Sequence, residues 1–183
     1  MELAAMSCRV LLVVVFTVAV VSKLRGAESF EAFVRSVQEL AVLSPRRGRA
    51  TARLVAGAEA AGVVLLLLPG PVVVAGFALV GCTLAAFTLA IGASLRRGAR
   101  VPCRCFGAST SSAGLLHLVR NGFLIAVAVT GAAGTSYGLP QEPGGLAVAV
   151  GTGLVVGVVM TALDDIAESL RDSFPISVRK GQR

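Results

Sequence analysis

The sequence predicts an all-α fold: an integral membrane helical bundle of about five transmembrane helices in one domain. Three observations point there. The hydrophobic fraction is 55% and the charged fraction 15% over 183 residues, against roughly 45–50% and about 25% in a soluble domain. The mean hydropathy is +0.83. The basic residues, which set a net charge of +7, fall in the gaps between apolar runs. On a soluble chain that charge would suggest nucleic acid. Here its placement reads as a topology signal and as contact with lipid headgroups, and no RNA- or DNA-binding motif is present. The expected partner is the lipid bilayer, with no nucleic acid, and the expected location is the cell membrane, crossed several times. Tyr137 is the only tyrosine and tryptophan is absent, so the usual aromatic belt is thin.

A spanning helix needs about 20 mostly apolar residues. The first span covers about 3–22, provided that Arg9 reaches an interface. A positive residue before an apolar run also describes a signal peptide. No small-x-small site follows, only Ser22, Lys23, Leu24 and Arg25, and the span is expected to be retained. Residues 28–43 differ. Phe30, Phe33, Val34, Val37, Leu40 and Ala41 recur at helical spacing between Glu28, Glu31, Arg35, Gln38 and Glu39, which describes an amphipathic helix lying on the membrane or capping the bundle. Ser44 and Pro45 end it, before Arg46, Arg47, Arg49 and Arg53. Two antiparallel spans follow, about 54–68 and 72–95, joined at Pro69-Gly70-Pro71. A polar segment, Val101 to Gly114, precedes a span at 115–133. A loop with Pro140 and Pro143 leads to the last span, 146–163. Residues 164–183 form a polar tail, expected to be a frayed helix and then disordered. The membrane domain is thus residues 1–163, and no internal repeat is visible.

The basic residues are distributed unevenly between the two sides. Lys23 to Arg53 contains seven, Arg96 to Arg104 four and the tail four more, while the gaps of the other parity hold little beyond Arg9. The positive-inside rule then puts the N-terminus outside and the segment after the third apolar span in the cytoplasm.

That segment carries Val-Pro-Cys103-Arg104-Cys105-Phe106-Gly107. Two cysteines one residue apart close a small ring that departs from preferred disulfide geometry, and such disulfides are the labile, catalytic kind. Arg100 and Arg104 flank the pair and a helix start lies downstream; positive charge and helix N-termini favour the reactive thiolate. Thiol–disulfide exchange is therefore weighed against half of a metal site, which lacks the four ligands of tetrahedral zinc, and against inert loop cysteines. Cys82, among Ala, Gly and Leu, reads as a small apolar core residue. Cys8 is expected at the opposite membrane end from the Cys-x-Cys segment. Disulfides persist outside the cytoplasm, whereas the arginine count places this pair inside. Labelling with a membrane-impermeant thiol reagent decides the side.

The Cys-x-Cys-Phe-Gly motif after the third apolar span, in a five-span chain of this length, resembles the MauE family of methylamine utilisation proteins, which is related to the DoxX-like membrane proteins. Ser22-Lys23-Leu24 at the end of the first helix and Glu59 in the second span are similar to that family too. The resemblance runs from about Val10 to Leu163. It implies a DoxX-like four-helix core plus one further transmembrane helix. It further implies a role in maturing the small subunit of methylamine dehydrogenase, by processing, transport or disulfide formation, together with a thioredoxin-like partner and a disulfide-containing client. Cys103 and Cys105 would be the reactive pair. A quinone or a thioredoxin-like protein would be the electron partner, since no nucleotide, haem or metal motif is present.

Two further sets of polar residues stand out. Glu59 lies in a span, where an ionisable group is costly and defaults to a functional hypothesis or to a paired carboxyl that fixes helix register. Its candidate partners are Arg120, Lys23 or a hydroxyl on a neighbouring helix. His117, Arg120 and Asn121 share one helix face, where they either line a pocket beneath the cysteine segment, His117 moving protons, or are satisfied interfacial groups. Two function classes follow: a thiol–disulfide redox or maturation factor using Cys103 and Cys105, and a non-catalytic scaffold or small transporter-like protein in which Glu59 matters more. Five spans without a repeat are few for a complete secondary transporter.

Overall fold

The computed structural model describes residues 2–98, 115–137 and 142–173. They form six α-helices: α1 (Glu2–Leu24), α2 (Ala27–Ala41), α3 (Pro45–Leu67), α4 (Val72–Arg96), α5 (Leu115–Gly134) and α6 (Pro143–Ser173), with a short 3-10 turn at Thr135–Tyr137. All except α2 contain a stretch long and apolar enough to cross a bilayer. With no water in the hydrocarbon layer, each such stretch must satisfy its own backbone polar groups, and a helix does so within the segment.

α1 is the hub, touching α2, α3, α5 and α6, while α4 packs between α3 and α5. The core is built on α1 by Leu12, Val15, Phe16 and Ala19. Leu66 of α3, Val73, Phe77, Val80, Leu84 and Ile91 of α4, and Leu124 and Ala128 of α5 close around them. A smaller cluster, Phe33, Val34 and Val37 with Ala52, holds the apolar face of α2 against α3.

The helix ends show how the sequence sets the register. α3 starts at Pro45 in its first turn, where a missing N–H costs nothing and the fixed φ suits a helix. It begins nine residues before the expected apolar span because its basic first half pairs with α2. Arg49 Nη2 lies 2.7 Å from Glu31 Oε1, and Gln38 Nε2 donates to the Pro45 carbonyl at 3.2 Å. The α3–α4 hairpin turns at Gly70, whose φ of +84° a side chain would rarely adopt. At this end Arg9 of α1 donates through Nε to the Leu66 carbonyl and through Nη2 to the Leu68 carbonyl at 2.9 Å. A cation thus meets carbonyls that the helix end leaves without intrahelical partners. The last helix extends to Ser173, ten residues past the expected end of its span.

Candidate functional site

The bundle has two ends, defined by antiparallel packing. A Cβ on Gly134 would lie 2.6 Å from Ala5 Cβ, and one on Gly131 3.1 Å from Cys8 Cβ, so the C-terminal end of α5 abuts the N-terminal half of α1. Followed at equal rise, this register sets His117 level with Ser22 and Arg120 level with Ala19. Cys8 lies in the half of α1 away from the N-terminal end of α5. At the end marked by Lys23, the C-terminal ends of α1 and α4 meet the N-terminal end of α5, and α2 packs against α1, α3 and α4. Arg97 Nη2, just past α4, donates to the Leu40 carbonyl of α2 at 2.6 Å.

The buried polar groups gather toward this end. Lys23 Nζ donates to both carboxylate oxygens of Glu59, at 2.5 and 2.6 Å, with the two side chains 1% and 2% exposed. Lys23 is the last-turn residue of α1, and a helical side chain leans back toward its N-terminus, so the ammonium reaches down to the carboxylate. The same ammonium lies 4.7 Å from the Phe33 ring centroid and 5.8 Å from that of Phe87. Four helices therefore converge on one nitrogen. His117, Arg120 and Asn121, on one face of α5, are buried as well.

Of the three partners open to Glu59 in the sequence, Lys23 is the one in contact. Cys103, Arg104, Cys105, Phe106 and Gly107 lie outside the described residues; the chain reaches them from α4 and leaves them into α5, both of which have those ends beside Lys23 and His117. Cys82 is not a core residue: it is exposed and lines an apolar groove with Leu40, Leu54, Val55 and Phe87. In a bundle of few helices a small apolar residue is as well placed facing lipid as facing protein. The sequence reading missed the two rings on Lys23, although Phe33 stands in the amphipathic stripe of α2, and it missed the role of Arg9 at the α3 terminus.

The site is rich in ionisable groups for an apolar bundle: Lys23, Glu59, His117 and Arg120 are all buried.

Five helices long and apolar enough to span a bilayer, with a buried ion pair joining two of them, define a multi-pass helical membrane protein. The family profile of methylamine utilisation protein MauE matches residues 1–134, and the chain belongs to that family. The match starts before Val10 and stops short of α6, a shorter C-terminal reach than the sequence resemblance suggested. It includes Lys23, Glu59, the Cys103–Gly107 segment, His117 and Arg120. No curated protein and no solved structure matches the chain.

Proposed function

We infer that this chain is a cell-membrane thiol–disulfide exchange factor, in which Cys103 and Cys105 trade electrons with the cysteines of a client protein. The observation that carries the reading is the convergence at one end of the bundle. The helices flanking the Cys103–Cys105 segment end where Lys23, His117 and Arg120 are buried. Arg100 and Arg104 flank the two cysteines in the sequence; positive charge beside a thiol favours the thiolate, and the thiolate is the attacking species. In the oxidising direction a client thiolate attacks the Cys103–Cys105 disulfide, the mixed disulfide is resolved by the client's second thiolate, and the client leaves oxidised. Cys103 and Cys105 are left as a dithiol holding two electrons. Their return to the disulfide requires a two-electron acceptor, a thioredoxin-like protein or a quinone. Family membership supports a client in methylamine metabolism, namely the disulfide-bearing small subunit of methylamine dehydrogenase.

The test is thiol trapping in cells expressing the client. Alkylation followed by mass spectrometry of the 103–105 peptide should find both oxidised and reduced forms. A Cys105→Ser variant should accumulate a mixed disulfide or lose client maturation. If both thiols remain reduced while the client matures, or if Cys105→Ser supports normal maturation, the exchange reading is wrong. Should Glu59→Gln abolish function while replacement of both cysteines is tolerated, the scaffold or transporter-like reading takes its place.

A further inference from the structure

A second site lies on the outside of the bundle, where α2 crosses the first half of α3. Arg35 and Gln38 of α2 and Arg46, Arg49 and Arg53 of α3 line a cavity of about 550 Å³, with Glu31 at its side. Four arginines against one glutamate leave the cavity with a charge of +3. Glu31 is engaged by Arg49 Nη2 at 2.7 and 2.8 Å, so the remaining field belongs to Arg35, Arg46 and Arg53. Guanidinium groups at this density present forked donors matched to phosphate oxygens.

The same face of α3 continues into the hydrocarbon. Arg46, Arg49, Arg53, Gly57, Ala61 and Val64 are spaced by three or four residues and form a single stripe that ends beside Leu68, just past the helix. Every member is exposed. A Cβ on Gly57 would meet nothing within 4 Å, and Val64 and Leu68 are 55% and 44% exposed. Gly57 and Ala61 make a shallow track directly below the arginines. The polarity changes at Arg53 and Leu54, and Leu54 is 75% exposed, which puts the arginine cavity at headgroup depth and the track at acyl-chain depth.

We propose that this stripe is a binding site for an anionic phospholipid, with its phosphate among Arg35, Arg46 and Arg53 and one acyl chain along Gly57, Ala61 and Val64. The charge selects an anionic over a zwitterionic headgroup. The apolar track selects a lipid over free phosphate. If the positive-inside bias holds, the site faces the leaflet richest in anionic lipid. The proposal is independent of the thiol chemistry.

Native mass spectrometry of the full chain in detergent tests it, with phosphatidylglycerol and phosphatidylcholine as the probes. Phosphatidylglycerol should bind in preference, and Arg46→Gln/Arg53→Gln should lower its affinity roughly 10- to 30-fold, at about one interfacial arginine's contribution each, leaving phosphatidylcholine unchanged. Gly57→Leu, which keeps every charge, should weaken phosphatidylglycerol by filling the track; it also serves if the double variant does not fold. Arg47→Gln, on the same turn but outside the cavity, is the control. The site is overturned if Arg47→Gln weakens binding as much as the double variant. It is overturned equally if millimolar inorganic phosphate displaces the lipid completely while Gly57→Leu has no effect, or if the two lipids bind alike.

Discussion

Replacing either member of the Lys23–Glu59 pair should destabilise the bundle far more than replacing both. The side chains are 1% and 2% exposed, so removing one leaves a charge, or a group forced to neutralise, where neither water nor lipid headgroups reach. Breaking a buried pair from one side costs about 3–5 kcal/mol in proteins, whereas exchanging both partners for apolar groups of similar size is often neutral. An ordinary interhelical polar contact in a membrane protein contributes only about 0.6 kcal/mol, and the Phe33 and Phe87 rings around Lys23 add about 0.5–2 kcal/mol. Methionine matches the length of both side chains and adapts to irregular space. Lys23→Met and Glu59→Met are each expected to lose about 3–5 kcal/mol, and the double variant less than about 1 kcal/mol, a coupling well above the usual scatter. For a chain of this size that separates singles from double by roughly 10 °C in unfolding temperature. The chain lacks tryptophan, so helical circular dichroism in detergent is the suitable signal. Single losses near 0.6 kcal/mol, or a double variant that loses the sum of the singles, would show the pair to be an ordinary polar contact and refute the reasoning.

Two further outcomes follow from the packing. A Cβ on Gly153 would lie 2.7 Å from the Ser7 carbonyl and 2.8 Å from Val10 Cβ, so Gly153→Leu should push α6 off α1; a disulfide cross-link engineered between the two helices should form in the parent background and fail in the variant. Cys82, exposed beside an apolar groove, should be modified by a membrane-permeant maleimide and spared by a charged, impermeant one, and Cys82→Ser should leave the unfolding temperature within about 2 °C of wild type, as for a surface substitution. Equal reaction with both reagents would place Cys82 in water and contradict the lipid-facing assignment.

Hydropathy located the spanning stretches because the bilayer imposes a length and a composition that no soluble helix needs. It located helix ends less well. Nothing apolar marks Pro45 to Arg53 as part of a spanning helix, yet Gly48 and Ala52 bury themselves against α2 and the helix runs on through the arginines. The spacing of Gly48, Ala52, Ala56 and Glu59 was the available signal, a small-residue face ending in a buried carboxyl. Cys82 was misplaced for a related reason: in lipid both faces of a helix are apolar, and pattern no longer distinguishes inside from outside. The ionisable residues were more legible. Lys23, Glu59, His117 and Arg120 are conspicuous in apolar runs because such groups are retained there only when paired or used. Which of three partners Glu59 takes depends on helix register, set by the close approaches around α1, which no local sequence feature encodes.

The distribution of contacts along α1 bears on how the chain is divided. Leu12, Val15, Phe16 and Ala19 turn into the core shared with α3, α4 and α5, while Ser7, Val10, Leu11 and Val14 meet Gly153 and Gly157 of α6. One helix therefore serves two interfaces on different faces. The interface with α6 relies on backbone proximity permitted by glycine, and among the described residues α6 reaches the main core through partly buried Val156 and Met160. The family match, residues 1–134, ends between these two systems. Lys23, Glu59, Phe33 and Phe87 lie on its N-terminal side, and the contacts described among them join α1, α2, α3 and α4. The Lys23–Glu59 pair and its two rings are thus set by α1 to α4, with α5 adding His117 and Arg120 at the same end, while α6 packs extensively on another face of α1.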